Sequence, residues 1–177
     1  EVIRAYEREG WIFNGRAFIQ KNPQAQAIRI HAKGLAFQQL RKDSSDSRPC
    51  LVDQILLFKK PGENAVPVNP VGNGEMDNER WIEWANGIWL GIEETNTLQR
   101  GQARGVEDEK HICPLQLGTI ERCIKLYSNP GELVLSPFAG IGSELYQAVR
   151  FGRRAIGIEL KDSYFELAVK NLRDVER

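Results

Sequence analysis

Residues 136–142 read Ser-Pro-Phe-Ala-Gly-Ile-Gly and stand where an apolar strand, Glu-Leu-Val-Leu at 132–135, must turn into a helix beginning near Ser143. Glycine suits such a corner for two reasons: it accepts positive φ in a tight turn, and without Cβ it lets the backbone come close to a ligand. The helix that follows offers unpaired N–H groups and the positive end of its dipole. A second strand, Arg-Ala-Ile-Gly-Ile at 154–158, then runs into Glu159. Glu159 lies nineteen residues after Gly140, close to the offset of about 20 at which an acid reaches a ribose hydroxyl. Strand, glycine loop, helix, strand and acid in that order predict a site for an adenosine-type cofactor.

The glycine pattern narrows the cofactor. A nicotinamide dinucleotide site wants a third small residue three positions after the second glycine of the pair, and position 145 is Leu. Ahead of the glycines stand Pro137 and Phe138. Pro-Phe-Ala-Gly-x-Gly followed by Gly157-Ile-Glu-Leu160 and Tyr164 closely resembles the S-adenosylmethionine site of DNA amino-methyltransferases, in the β arrangement with the catalytic half ahead of the cofactor half. The match is densest over 111–173, and His-Ile-Cys-Pro-Leu-Gln-Leu at 111–117 is similar to the family's pre-strand cofactor element, with Cys113-Pro114 in place of Lys-Pro. The resemblance implies S-adenosyl-L-methionine as cofactor, held by His111, Pro114, Ser136, Pro137, Phe138, Ala139, Gly140, Gly142, Ser143, Glu159 and Leu160.

Two departures qualify it. Ser136 stands where the family usually carries Asp beside the methionine part of the cofactor; a hydroxyl supplies no charge, and charge-assisted bonds are roughly twice as strong as neutral ones. Amino-methylation also needs a flipped base whose amino group is held in line with the methyl sulfonium. The family does this with an Asp/Asn/Ser-Pro-Pro-Tyr/Phe loop, and no Pro-Pro pair occurs in these 177 residues. No catalytic residue is therefore assigned in this chain, and the β arrangement places that loop upstream of Glu1. The residues have plainer readings too: Ser136 satisfying a turn, Phe138 packing in a core, Glu159 as a solvated strand end, His31 and His111 as polar loop or packing residues.

The elements that must position this site fall into three stretches. Residues 1–61 read as the remainder of a catalytic half: a helix end over 1–10, a strand over 11–20, a basic loop over 22–49 with a short helix near 35–40, and a strand over 51–59. Residues 62–110 are rich in Asn, Gly, Pro and acids, broken by Trp81, Trp84 and Trp89. The resemblance implies an insertion and candidate target-recognition segment here, and the residues read equally as an insertion that its tryptophans anchor to a core. Residues 111–177 form the S-adenosylmethionine-binding half, with amphipathic helices over 114–126 (stripe Leu117, Ile120, Ile124, Tyr127), over 143–151, and from Tyr164 through Leu172. The fold expected is α/β, a doubly wound methyltransferase-type sheet, incomplete on its N-terminal, catalytic-strand side.

Charge and composition bound the partners. The net charge is zero, which argues against nonspecific polyanion binding by the whole surface. It is unevenly spread, positive over 1–60 and negative over 61–110, so Arg29, Lys33, Arg41 and Lys42 are candidate phosphate contacts to double-stranded DNA or else a solvated basic loop. Cys50, Cys113 and Cys123 form no CxxC pair and, with His31 and His111, lack metal-ligand spacing, so free buried thiols and no metal are expected. No apolar run approaches the roughly 18 residues of a membrane span. The chain opens on Glu1 and its one methionine is Met76, which reads as a chain beginning inside a longer polypeptide. The expected setting is bacterial or phage-infected cytoplasm, with the missing N-terminal part of the same polypeptide as a partner and a homodimer left open. The function expected is methyl transfer from S-adenosylmethionine to an exocyclic amino group of adenine or cytosine in DNA. The alternatives are a non-catalytic DNA- or cofactor-binding module and a nucleotide-dependent oxidoreductase, which Leu145 disfavours.

Overall fold

The computed structural model describes residues 1–22, 52–98 and 113–175. The basic-loop residues Arg29, Lys33, Arg41 and Lys42, the helix expected near 35–40, and His31, His111 and Cys50 lie outside them. The chain divides into two compact units, Glu1–Glu63 with Asn86–Ile92, and Asn64–Ala85 with Glu93–Arg177.

The first unit contains α1 (Val2–Arg8), β1 (Ile12–Gln20), β2 (Val52–Lys59) and β3 (Ile88–Trp89), with strand order β2-β1-β3. β1 pairs antiparallel with β2 from Ile12↔Lys59 to Gln20↔Val52, and the register shifts between Phe13 and Gly15. One extra residue in β1 leaves Asn14 unpaired there, which is a bulge. β3 adds to the other side of β1 in parallel, Phe18 opposite Ile88 and Ile19 opposite Trp89. Strand geometry sends alternate side chains to opposite faces, and β1 follows it: Ala17 and Ile19 are buried, Arg16 and Gln20 exposed. Trp89 is wholly buried beside them. Lys21, also buried, is neutralised by Asp53 at 2.7 Å. At the other end of the ladder the Tyr6 ring stacks on Phe58 at 4.6 Å, with Phe13 meeting Phe58 edge-on.

The second unit contains α2 (Asn78–Ala85), α3 (Leu117–Tyr127), β4 (Leu133–Ser136), α4 (Ser143–Arg150), β5 (Arg154–Gly157) and α5 (Asp162–Val175). β4 and β5 pair in parallel, Leu133↔Arg154 through Ser136↔Gly157, with α4 as the crossover. Leu117, Ile120 and Ile124 of α3 meet Ala148 of α4 in the core, with Val134 and Ala155 of the strands packed against them. A second cluster joins Ile141 of the glycine loop to Leu167 of α5. Leu133, Leu135, Ile156 and Ile158, on the strand positions that alternate with Val134 and Ala155, are exposed.

The helix expected over 114–126 is corrected at its start, and its stripe at the last residue. The helix starts at Leu117, not at Pro114, because Gln116 is extended and acts as the N-cap. The Leu117 N–H then donates to the Asn96 carbonyl at 2.9 Å, so a tertiary partner satisfies a group that another helical turn would have covered. Tyr127 is exposed, being the last helical residue before Ser128 leaves in an extended conformation. The fold is mixed α/β, and its described strands form two small sheets.

Candidate functional site

The site is built at the C-terminal ends of β4 and β5. Ser136 ends β4 and is buried. Its carbonyl accepts the Ile158 N–H at 3.0 Å, and Ala139 N–H donates back to the Ile158 carbonyl at 2.9 Å, so the loop folds against the exit of β5. Two glycines then do different work. Gly140 has φ +53 and a Cβ built on it would meet open space; Gly142 has φ +84 and a Cβ there would sit 3.0 Å from that of Ala168 on α5. Gly142 is thus needed for helix packing, and Gly140 leaves a free face for a ligand. Gly157 on β5 is a third close approach, since a Cβ would lie 2.4 Å from Leu145 Cδ1 and 2.8 Å from Ala139 Cβ. On the far side of the loop, Asn171 Nδ2 donates to the Ile141 carbonyl at 2.9 Å.

Glu159 joins the two halves of the site. Its Oε2 accepts the Gly140 N–H at 2.8 Å, nineteen residues away, and its Oε1 accepts the Lys161 N–H at 2.9 Å. An ionised carboxylate has about four lone-pair positions, so two remain for hydroxyl donors from a ligand. Phe138 stands two residues before Gly140 and Leu160 directly follows Glu159, and they are 89% and 95% exposed. That degree of exposure excludes core packing for Phe138. Exposed apolar side chains of this kind are available to pack on a flat heterocycle.

A cavity of about 240 Å³ opens beside the loop, lined by Cys113, Pro114 and Leu115 on one side and by Phe138–Ile141, Ser143, Glu144 and Tyr164 on the other. The structure therefore brings together Pro114, Phe138, Ala139, Gly140 and Ser143 of the predicted residues. Ser136, Pro137, Gly142, Glu159 and Leu160 do not line the cavity. Glu144, in the first turn of α4, is a cavity residue that motif reading missed. Its only sequence signal is an acid following the second glycine by two positions. Burial raises its carboxyl above the ordinary 4.5, against a lowering by its own backbone N–H.

A second polar centre lies at the opposite ends of α4 and β5. Arg153 is buried, and its guanidinium donates to both carboxylate oxygens of Glu75, to the Ser128 carbonyl and Oγ, and to the Phe151 carbonyl. Nothing in the sequence pairs Arg153 with an acid 78 positions away. The tryptophans of 62–110 divide. Trp89 belongs to the buried centre of the first unit, while Trp84 is buried with the Arg80 and Arg122 guanidinia 5.9 and 5.1 Å from its ring centre. Trp81 is 44% exposed. The cysteine expectation is corrected in part: Cys123 is a free thiol that burial pushes up to about 12, but Cys113 is exposed, because the approach to α3 is an extended surface segment. Among the described residues no helix is long and apolar enough to cross a membrane.

Comparison with known proteins agrees with this geometry. The N6/N4 DNA methylase family model, described as DNA methylase, matches residues 3–170. The type II methyltransferase M.BglI of Bacillus subtilis is 31% identical over 146 residues, which is 81% of this chain and 37% of the relative. M.ScaI of Streptomyces caespitosus is 30% identical over 114 residues, 64% of this chain and 33% of the relative. The chain thus spans about a third of the length of these curated relatives. TTHA0409 of Thermus thermophilus, solved in complex with S-adenosyl-L-methionine, shares the fold with a TM-score of 0.66 at 24% identity, over 96% of this chain and 56% of that one. The PvuII cytosine-N4-specific DNA methyltransferase does so with a TM-score of 0.59 at 14% identity, over 98% and 59%. Fold, glycine loop and a family match over almost the whole chain lead to one assignment: this chain belongs to the N6/N4 DNA methylase family.

Proposed function

We propose that this chain is the cofactor-holding portion of a DNA methyltransferase that moves a methyl group from S-adenosylmethionine to an exocyclic amino group of adenine or cytosine. The observation that carries the reading is the Glu159 carboxylate bonded to the Gly140 N–H beside an open backbone face. Its unused lone pairs fit a ribose diol, and the exposed Phe138 and Leu160 fit the two faces of an adenine. Pro114, Ala139 and Ser143 shape the cavity; Gly142 holds the loop close to α5. Ser136 and Pro137 set the turn out of β4, and His111 stands three residues before Pro114 in the same cofactor element. Bound there, S-adenosylmethionine supplies an electrophilic methyl sulfonium.

The residues present bind and orient a cofactor; none of them holds a flipped amino group in line with it. The reading therefore assigns that task to a Pro-Pro-type loop elsewhere in the whole protein. β4 pairs only with β5 among the described residues, which supports a further strand at its other edge and a doubly wound sheet in the complete enzyme. Double-stranded DNA is the partner this reading implies, with Arg29, Lys33, Arg41 and Lys42 on its phosphates and the exposed Trp81 available to it.

Titration calorimetry tests the cofactor site. Glu159→Ala should weaken S-adenosylmethionine by about 1.5–3 kcal/mol, the scale of hydrogen bonds to a charged group. Gly140→Val should abolish binding, since φ +53 disfavours a β-branched residue and its side chain would fill the ligand's space. Unchanged affinity in both variants refutes the site. Equal or tighter binding of a nicotinamide dinucleotide would favour an oxidoreductase. The chain alone should incorporate no labelled methyl group into DNA, and cofactor-dependent incorporation that survives repurification would overturn the division of labour.

A further inference from the structure

The glycine loop takes its shape from hydrogen bonds to its surroundings. Gly140 and Gly142 flank Ile141, and glycine adopts φ of either sign with little preference, so their φ of +53 and +84 must be imposed. Ala139 N–H donates to the Ile158 carbonyl, Gly140 N–H to Glu159 Oε2 at 2.8 Å, and Gly142 N–H to the Ala139 carbonyl at 2.8 Å. The Ile141 carbonyl shares a rigid peptide plane with that Gly142 N–H, and it accepts Asn171 Nδ2 at 2.9 Å. Both polar groups of the Ile141–Gly142 peptide are thus held, and the half-buried Asn171 holds one of them.

Asn171 belongs to the face of α5 that meets the loop. Tyr164, Leu167, Ala168 and Asn171 follow the i, i+3, i+4, i+7 spacing of one helix face. Leu167 packs with Ile141, Tyr164 packs against them, and Ala168 limits the approach of Gly142. Apolar packing is non-directional, so these contacts set how near the loop comes but not which way its carbonyls point. A hydrogen bond sets direction, because it weakens steeply away from linearity. The Gly140–Ile141 peptide lies between two anchored neighbours and has no hydrogen-bond partner of its own among the described residues. Both of its residues line the cavity, so its orientation is what a ligand meets, and the neighbours decide it.

We propose that Asn171 is a positioning residue of the cofactor site: by orienting the Ile141–Gly142 peptide it keeps the adjoining Gly140 backbone in the conformation that receives S-adenosylmethionine. The proposal rests on the cofactor reading of the glycine loop and deepens it. Asn171 touches no ligand in this scheme. It raises the fraction of chains whose loop is ready, and apparent affinity scales with that fraction.

Calorimetry with S-adenosylmethionine and S-adenosylhomocysteine, at a temperature where every variant is fully folded by circular dichroism, tests this role. Asn171→Leu keeps the approximate shape of the side chain and removes the donor; it should weaken both ligands about two- to tenfold, the scale of one net hydrogen bond. Asn171→Gln keeps an amide donor on a longer stem and should recover part of the loss. Nitrogen–proton spectra add a readout that a purely bracing side chain would not move. In ligand-free Asn171→Leu the Gly140, Ile141 and Gly142 amide signals should shift or broaden, and saturating ligand should return them toward the wild-type bound positions. Loop signals like those of the wild type in the free variant overturn the proposal. So does unchanged affinity in Asn171→Leu, whatever its melting temperature, since Asn171 would then only brace the fold. Equal losses in the Leu and Gln variants would assign the effect to side-chain shape and overturn it as well. Glu159→Ala is the reference: if it weakens binding while Asn171→Leu does not, the Asn171 assignment fails and the site stands. If the wild-type chain binds neither ligand, the cofactor reading fails and this proposal falls with it.

Discussion

The two units of this chain draw their internal order from different sources. In the first, a long antiparallel ladder between β1 and β2 carries the structure, and among the described residues its buried apolar side chains are few: Ala17, Ile19 and Trp89. In the second, the described sheet is two strands of four residues, and order comes from helices packed against it and from Arg153, whose guanidinium ties Glu75, Ser128 and Phe151 together. A ladder tolerates side-chain change, because its hydrogen bonds belong to the backbone. A network centred on one buried guanidinium does not, because removing one partner strands the others. The glycine loop stands on the second kind of support, where Arg153 ties the far ends of α4 and β5 to Ser128 and Glu75.

Arg153→Ala should have the largest effect. Breaking a buried ion pair leaves an uncompensated charge and costs about 3–5 kcal/mol, and Glu75 would be that charge. Amide exchange should show β4, α4 and β5 loosened while the β1–β2 ladder keeps its protection. A loss shared equally by both units would end the distinction drawn here. Trp89→Ala is the converse test. Truncating a fully buried tryptophan costs about 3–5 kcal/mol, and that loss should fall on β1 and β3 alone.

Acid should also act on one unit first. Burial tends to raise the Glu75 carboxyl, but the hydrogen bonds and charge of Arg153, together with Asn73 and Lys125, outweigh it and hold it below the ordinary 4.5. A carboxylate lowered in the fold stabilises above its unfolded value, and that stabilisation disappears as pH falls from about 4.5 through the folded value. Thermal melts between pH 6 and acid should therefore weaken the second unit, and Glu75→Gln should flatten that limb while lowering stability near neutrality. A wild-type acid limb in the variant would assign the loss to other groups. The smallest expected effect is at the aromatic stack of the first unit. Tyr6→Ala should remove about 0.5–1.5 kcal/mol of ring interaction beyond the area lost, visible as faster exchange at α1 with the centre of β1 unchanged.

The legible parts of this protein are those written in local periods. The alternation of β1, the apolar stripe Leu117-Ile120-Ile124 and the helix after Gly142 all appear where spacing placed them. The sequence could not show that Pro114 stays outside α3, because the Asn96 carbonyl that receives the Leu117 N–H is 21 residues away. Nor could it sort the tryptophans: Trp81, Trp84 and Trp89 share one acidic context, and only packing separates the exposed ring from the buried ones.

The sequence by itself determined the glycine corner and its acid, since glycine conformational freedom and a nineteen-residue offset follow from residue type and count, and the Gly140–Glu159 hydrogen bond joins the two residues that the count selects. Tertiary structure alone decided which glycine faces open space and which faces Ala168, because the distinction lies in what occupies the space around each Cβ. It alone brought Glu75 to Arg153, two ordinary surface-type residues that pair, the guanidinium buried and the carboxylate half-buried, only when the chain between them folds back. Glu144 belongs to the same class. Its residue type suggests a solvated helix start, and the fold sets it half-buried at the wall of a cavity beside the glycine loop.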